Sequence, residues 1–278
     1  MELDLGLRER TASLVERSEA AQPFGVHVLS STDPASELGR VVERAVFEEF
    51  FDNSPELLAQ EYDQYEPASL FLCVVDNRRL VPAGVMRLVV SSPCGFKSLD
   101  DIPRVWGERI DDAIASSGSG LDRARCWDVA TFAITSEYRG AATEGLVSLA
   151  LYQALVMTAR SCDVPWFVAV LDVSVLAAIS ERMADPFTRF PGLAPRPYLD
   201  SPASVPVFVD LDAYQPRLAE LDPTMHEILF EGAGLEAAVW TPDWASATTA
   251  ALPPTNLPNL GASNKADPMI AGRGAGPS

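Results

Sequence analysis

Residues 126–165, CWDVATFAITSEYRGAATEGLVSLALYQALVMTARSCDVP, decide the fold. They read as a strand over Cys126 to Ile134, a polar turn carrying Tyr138, Arg139 and Gly140, and a long amphipathic helix directly after the turn. The next apolar run, WFVAVLDVSVLAAI, reads as a second buried strand passing straight into a helix. Free backbone N–H groups and an arginine at a positive helix end suit a phosphate-bearing ligand.

Outward from this core, FGVHVLSS (24–31) reads as a first strand. A helix then runs to about Phe51, with Leu38, Val41, Val42, Ala45, Val46 and Phe50 on one face. The acidic stretch DNSPELLAQEYDQYEPA leads to a hairpin, SLFLCVV and AGVMRLVVSS, with Asp76-Asn77 at its tip. Residues 93–125 read as an insertion with a helix around IPRVWGERIDDAIA. VPVFVDL reads as a last strand, and LDAYQPRLAELDPTMHEILFEGA as a closing helix.

Residues 1–22 are expected to form an arm or helix, 23–240 a single domain, and 245–278 a disordered tail of Ala, Thr, Pro, Asn and Gly. The element order predicts an α/β fold, antiparallel in its first half with a parallel crossover in its second. No G-x-G-x-x-G follows any strand, which argues against a dinucleotide fold.

Composition narrows the function classes. The 278 residues carry a formal net charge of −18, which repels nucleic-acid backbones and argues against a DNA or RNA partner. No apolar run is long enough for a membrane span, and the N-terminus lacks a secretory core, so a cytoplasmic location is expected. The four cysteines are far apart and only two histidines occur, so no metal site is expected.

The succession EYDQY (61–65), GVMRL (84–88), WDVATFAI (127–134) and SEYRG (136–140) resembles that of the acyl-homoserine-lactone (autoinducer) synthases. Long-chain N-acyl amino acid synthases share the architecture. Roughly residues 24–210 are covered. The resemblance implies a GNAT-like acyltransferase fold: a central mixed, mostly antiparallel sheet flanked by helices. It also implies N-acyl transfer from acyl-CoA, acyl-phosphopantetheine or an acyl carrier protein to a small amine, with no tightly bound cofactor.

Carried onto this sequence, the resemblance makes Asp128 the general base, one methylene shorter than the family's glutamate. It makes Glu61, Asp63 and Arg87 acceptor-binding residues, with Trp127 and Phe132 on the strand facing the substrate. Arg139, Gly140, Ala141 and Ala142 cover the pyrophosphate loop. Arg87 on an otherwise apolar strand either pairs with Glu61 or Asp63, because an unpaired buried guanidinium is very costly, or faces solvent on an edge strand. Tyr152, Met157, Phe167 and Phe187 either line an acyl tunnel or belong to the core.

Departures from the pattern keep alternatives open. Ala130 and Thr131 replace a Ser-Arg pair, which argues against S-adenosylmethionine as the amine donor. Ala142 and Glu144 replace small loop residues, and a glutamate repels a pyrophosphate. An acyltransferase is therefore the expectation. A non-catalytic acyl-ligand or protein-binding module of the same fold, and an S-adenosylmethionine-dependent synthase, stand as alternatives.

Overall fold

The computed structural model describes residues 4–19 and 21–253. Helix α1 (Leu5–Ser18) is capped by Asp4, whose carboxylate accepts from the Leu7 N–H at 2.8 Å. Strand β1 (Phe24–Ser30), helix α2 (Glu37–Phe51) and helix α3 (Pro55–Tyr62) follow, and the hairpin β2 (Ser69–Asp76)–β3 (Val81–Val90) comes next. The insertion holds α4 (Lys97–Asp101), a π-turn over Ile102–Trp106, and α5 (Ile110–Ser117). The centre is β4 (Cys126–Ile134), α6 (Leu146–Ser161), β5 (Trp166–Asp172) and α7 (Val173–Arg182). Short strands β6 (Thr188–Arg189) and β7 (Arg196–Tyr198) precede β8 (Ser201–Asp210), α8 (Leu211–Leu221), α9 (Pro223–His226), β9 (Val239–Trp240) and α10 (Trp244–Ala251).

The strands form one mixed, mostly antiparallel sheet in the order β6-β8-β5-β4-β3-β2-β1-β9, with β7 also on β8. Residues Phe71, Arg87 and Thr131 stand in register across β2, β3 and β4. On their face, α1 and α2 pack Leu14, Leu38, Val42 and Val46 against Phe71, Cys73 and Val85. Helix α2 lies so close that a Cβ on Gly39 would come within 2.7 Å of the Phe71 ring. The other face carries α6, whose Val147, Ala150 and Leu151 join the core with Leu72, Met86 and Leu88. Burial on both faces explains why β2 and β3 read as near-continuous apolar runs.

Strands β4 and β5 are the one central pair that is parallel, and the crossover through α6 makes this possible. They pair only over Cys126–Asp128 and Trp166–Val168. Beyond that point β4 stays with β3 as far as Ile134, and β5 stays with β8 as far as Asp172. The sheet therefore splits into two halves that diverge from Asp128 onward.

Four boundaries differ from the expectation. The central helix starts at Leu146, not directly after Gly140. The positive φ of Gly140, Glu144 and Gly145 limits the intervening chain to one short 3-10 turn, Gly140–Ala142. The insertion helix expected over 102–115 is interrupted at Gly107, which closes the π-turn with φ 77°. The closing helix breaks at Asp222, ahead of Pro223. Residues 245–251, expected in a disordered tail, lie in α10, which buries Thr248 and Ala251. The expectation for residues 254–278 lies outside the described residues.

Candidate functional site

A cavity of about 520 Å³ fills the gap between β4 and β5 and reaches both faces of the sheet. This volume lies in the range of small-molecule sites. From the α2 side it is lined by Val46, Phe47, Phe50 and Phe51. The β4 wall presents Val129 to Phe132 and Ile134, and the β5 wall Val170 to Asp172. Helix α6 contributes Ser148 and Tyr152, and α7 contributes Val175, Ala178 and Ile179. Phe132 stacks on Tyr152 with ring centroids 5.1 Å apart, and burial pushes the Tyr152 hydroxyl up to about 12. Phe50 and Val175 are among the exposed large apolar residues, so the rim itself is apolar.

Cations gather where the strands are furthest apart. Arg139 and Arg182 both line the cavity, as does Gly140. Arg139 donates from Nε to the Ile134 carbonyl at 2.6 Å and lies 3.6 Å from the centroid of Phe50. Gly145 opens α6 with φ 75°, and a Cβ there would come within 2.4 Å of the Arg182 Nη2. The Arg182 guanidinium thus lies against the start of α6.

At the other end, near the point where the strands part, Asp128, Arg87 and Glu61 are each engaged with other groups of the protein. Asp128 is fully buried and does not line the cavity. Its two oxygens accept from the Ser98 N–H at 2.7 Å and the Ser98 hydroxyl at 2.6 Å, which ties α4 to β4. Burial raises its pKa to about 7, against the opposing pull of the two Ser98 bonds and Lys97.

Arg87 is buried, as one of the two sequence readings required, but its partners are Glu43 and Glu66 rather than Glu61 or Asp63. Nε and Nη2 reach the Glu43 carboxylate at 2.9 and 2.6 Å, and Nη1 reaches Glu66 at 2.8 Å. Burial pulls the guanidinium pKa down, yet the two carboxylates hold it above its ordinary value. The Thr131 hydroxyl also donates to Glu43.

Glu61 pairs with the buried ammonium of Lys97 and with Arg104 at 3.3 Å. Lys97 also reaches Asp101 at 2.7 Å. Burial alone would raise the Asp101 carboxyl, but Lys97, Tyr198 and Arg104 hold it below the usual carboxylate range. Asp63 is exposed, and Trp127 is buried in the core between Val90 and Phe167. Ala142 is exposed and does not line the cavity. Met157, Phe167 and Phe187 are not on the wall either, and Met157 packs against Gly232.

The structure therefore brings Phe132, Arg139, Gly140 and Tyr152 to one cavity and leaves Asp128, Glu61, Asp63, Arg87 and Trp127 off its wall. Sequence reasoning missed Glu43, Lys97, Asp101, Arg182 and the two tyrosines Tyr62 and Tyr198, both of which line the cavity. Tyr62 lies inside the EYDQY stretch, so a signal for it was present. Among the described residues no cluster of His, Cys, Asp or Glu could hold a metal ion, and no helix is long and apolar enough to cross a membrane.

No family model matches the chain, and no characterised protein matches it in sequence. Solved structures do. FeeM, an N-acyl amino acid synthase from uncultured soil microbes, superposes with a TM-score of 0.53 at 14% identity, covering 72% of this chain and 98% of that one. The acyl-homoserine lactone synthase LasI gives 0.47 at 14%, covering 69% and 91%. BjaI, a CoA-dependent acyl-homoserine lactone synthase, gives 0.45 at 16%, covering 81% and 98%. With its sheet order, its parallel crossover and its likeness to FeeM, the chain has a GNAT-like acyltransferase fold.

Proposed function

We propose that this protein is an N-acyltransferase that moves an acyl group from a pantetheine thioester to the amine of a small metabolite. The observation that carries this reading is the cavity between the diverging β4 and β5, apolar through the sheet and cationic at its wide end. A pantetheine arm is long, thin and amphipathic, and a phosphate at its end suits Arg139, Arg182 and the start of α6. The acyl chain then lies among Phe47, Phe51 and Phe132. From Val129 onward β4 has no partner on its β5 side, which leaves backbone N–H groups on that edge to polarise a thioester carbonyl.

In the reaction the amine nitrogen attacks the thioester carbonyl carbon. The C–N bond forms, the C–S bond breaks, and the proton lost by the amine nitrogen ends on the leaving sulfur, which departs as the thiol. Asp128 is not assigned the proton transfer, because Ser98 holds both of its oxygens away from the cavity. Its role here is to hold α4 against β4 at the point where the strands part.

A second reading, a non-catalytic acyl-binding module, is favoured by one observation: Asp128, Glu61 and Arg87, which resemblance would make reactive, are all engaged within the protein. Release of free thiol from C8 to C16 acyl-CoA, in the presence of amino acids, separates the two. Amine-dependent thiol release with amide formation is expected. Acyl-CoA binding without release would favour the module, and neither binding nor release would sink both readings.

A further inference from the structure

Four hydroxyl groups on the cavity wall share a property that the apolar lining hides. The Tyr62 hydroxyl donates to the Ala130 carbonyl at 3.2 Å, and that of Tyr198 to the Asp101 carboxylate at 2.6 Å. Ser204 donates to Ser201 at 2.8 Å, and Ser201 to Asp172 at 2.7 Å. A carbonyl or carboxylate can only accept, so the phenol protons are committed to protein partners. What Tyr62 and Tyr198 have left for the cavity is oxygen lone pairs. A ligand that meets them must bring its own donors.

The two phenols are neighbours. Both rings flank the buried ammonium of Lys97, whose Nζ lies 5.5 Å from the centroid of Tyr62 and 5.4 Å from that of Tyr198. Behind the rings the ion pairs are balanced: Glu61 and Asp101 stand against Lys97 and Arg104, and the pKa of Asp128, bound to Ser98, is raised by burial to about 7. Arg87, on the other side of Tyr62, is matched by Glu43 and Glu66. The wall therefore offers acceptor oxygens and aromatic faces, backed by ion pairs that are matched within the protein. That is the chemistry that receives an N–H donor.

We propose that Tyr62 and Tyr198 form the subsite for the amine acceptor, and that the acceptor is a primary amine held through its N–H groups. This deepens the acyltransferase reading and rests on it for the role of the amine. It assigns the two ends of the cavity to different substrates, with thioester phosphate at Arg139 and Arg182 and amine at the tyrosines.

The test compares binding of hexylamine with binding of its N,N,N-trimethyl analogue, which keeps the positive charge but has no N–H. Hexylamine is expected to bind at least about 10-fold tighter, as the loss of hydrogen bonds to a charged donor implies. In the Tyr62→Phe/Tyr198→Phe double variant the two ligands should bind within about twofold of each other. Equal binding in the unmodified protein, no binding of hexylamine, or a preference that survives in the double variant would each overturn the proposal. The comparison within the unmodified protein stands even where the double variant does not fold. Stabilisation of the unmodified protein by long-chain acyl-CoA, measured alongside, reports on the acyl-transfer reading separately. Its absence with amine selectivity intact would sink that reading and leave the subsite.

Discussion

The two ends of the β4–β5 pair are built on opposite principles. Where the strands are joined, at Cys126–Asp128, and just past it, level with Thr131, charges are buried and matched: Arg87 by Glu43 and Glu66, Lys97 by Glu61 and Asp101, and Asp128 by Ser98. Where they part, the wall is apolar, the space is empty of protein, and cations stand at the edge. The joined end is a scaffold of buried ion pairs, and the parted end is an apolar receptacle whose cations are held at its edge by backbone carbonyls. Charged residues in a strand are thus poor guides to chemistry when their partners lie within the same core.

The largest effect that would break this contrast is expected at Glu43. Glu43→Ala removes two of the three hydrogen bonds to a buried guanidinium and should cost about 3–5 kcal/mol in a denaturant titration. A loss below about 1 kcal/mol would show that the joined end is not a matched charge scaffold.

Asp128 gives a pH signature of the same region. Its folded pKa of about 7 stands above the ordinary value of 3.8. The folded state therefore binds more protons than the unfolded state between those values, and stability falls as pH rises through that window. Asp128→Asn, isosteric and unable to ionise, should lose this decline. At pH 8 it should match or exceed the parent in stability by up to a few kcal/mol, and the gap should close near pH 4. A variant weaker than the parent at pH 8 would mean that the charged form is the one the fold prefers.

At the parted end, Gly145→Ala places a side chain at φ 75° and against Arg182. It should cost about 1–2 kcal/mol and displace the guanidinium. The sharper readout is weaker binding of CoA than of dephosphorylated pantetheine-type ligands. Equal loss for both would remove Arg182 from phosphate recognition.

Much of the fold was legible because it rests on local pattern. The strand–turn–helix–strand core, the hairpin and the last strand all follow from apolar periodicity over short windows. The loop glycines explain what was misjudged: Gly140 and Gly145 delay the helix by several residues, an effect of φ that composition does not report. Helix α10 was missed because Ala and Thr carry little hydrophobic signal, although Thr248 and Ala251 are buried.

The site was less legible. Arg87 was conspicuous as a lone charge on an apolar strand, yet Glu43 lies 44 residues away on the buried face of α2. Only helix-on-sheet packing brings them together. The divergence of β4 from β5 coincides with a bulge in β4, where Ala130 is the extra residue between Val129 and Thr131 in the pairing with β3, and no glycine or proline in the sequence marks it. Tyr198 and Arg182 come from segments whose place at the cavity depends on that divergence.

The most direct test of the central claim is the stabilisation of the protein by long-chain acyl-CoA, compared between the parent and Ala178→Trp, which fills the cavity from α7. Ligand at 100 times its dissociation constant should stabilise the parent by about 2.7 kcal/mol. This gain should disappear in Ala178→Trp while the variant's own denaturation midpoint stays close to the parent's. Equal stabilisation of both proteins would place the acyl thioester elsewhere and contradict the assignment of the β4–β5 gap.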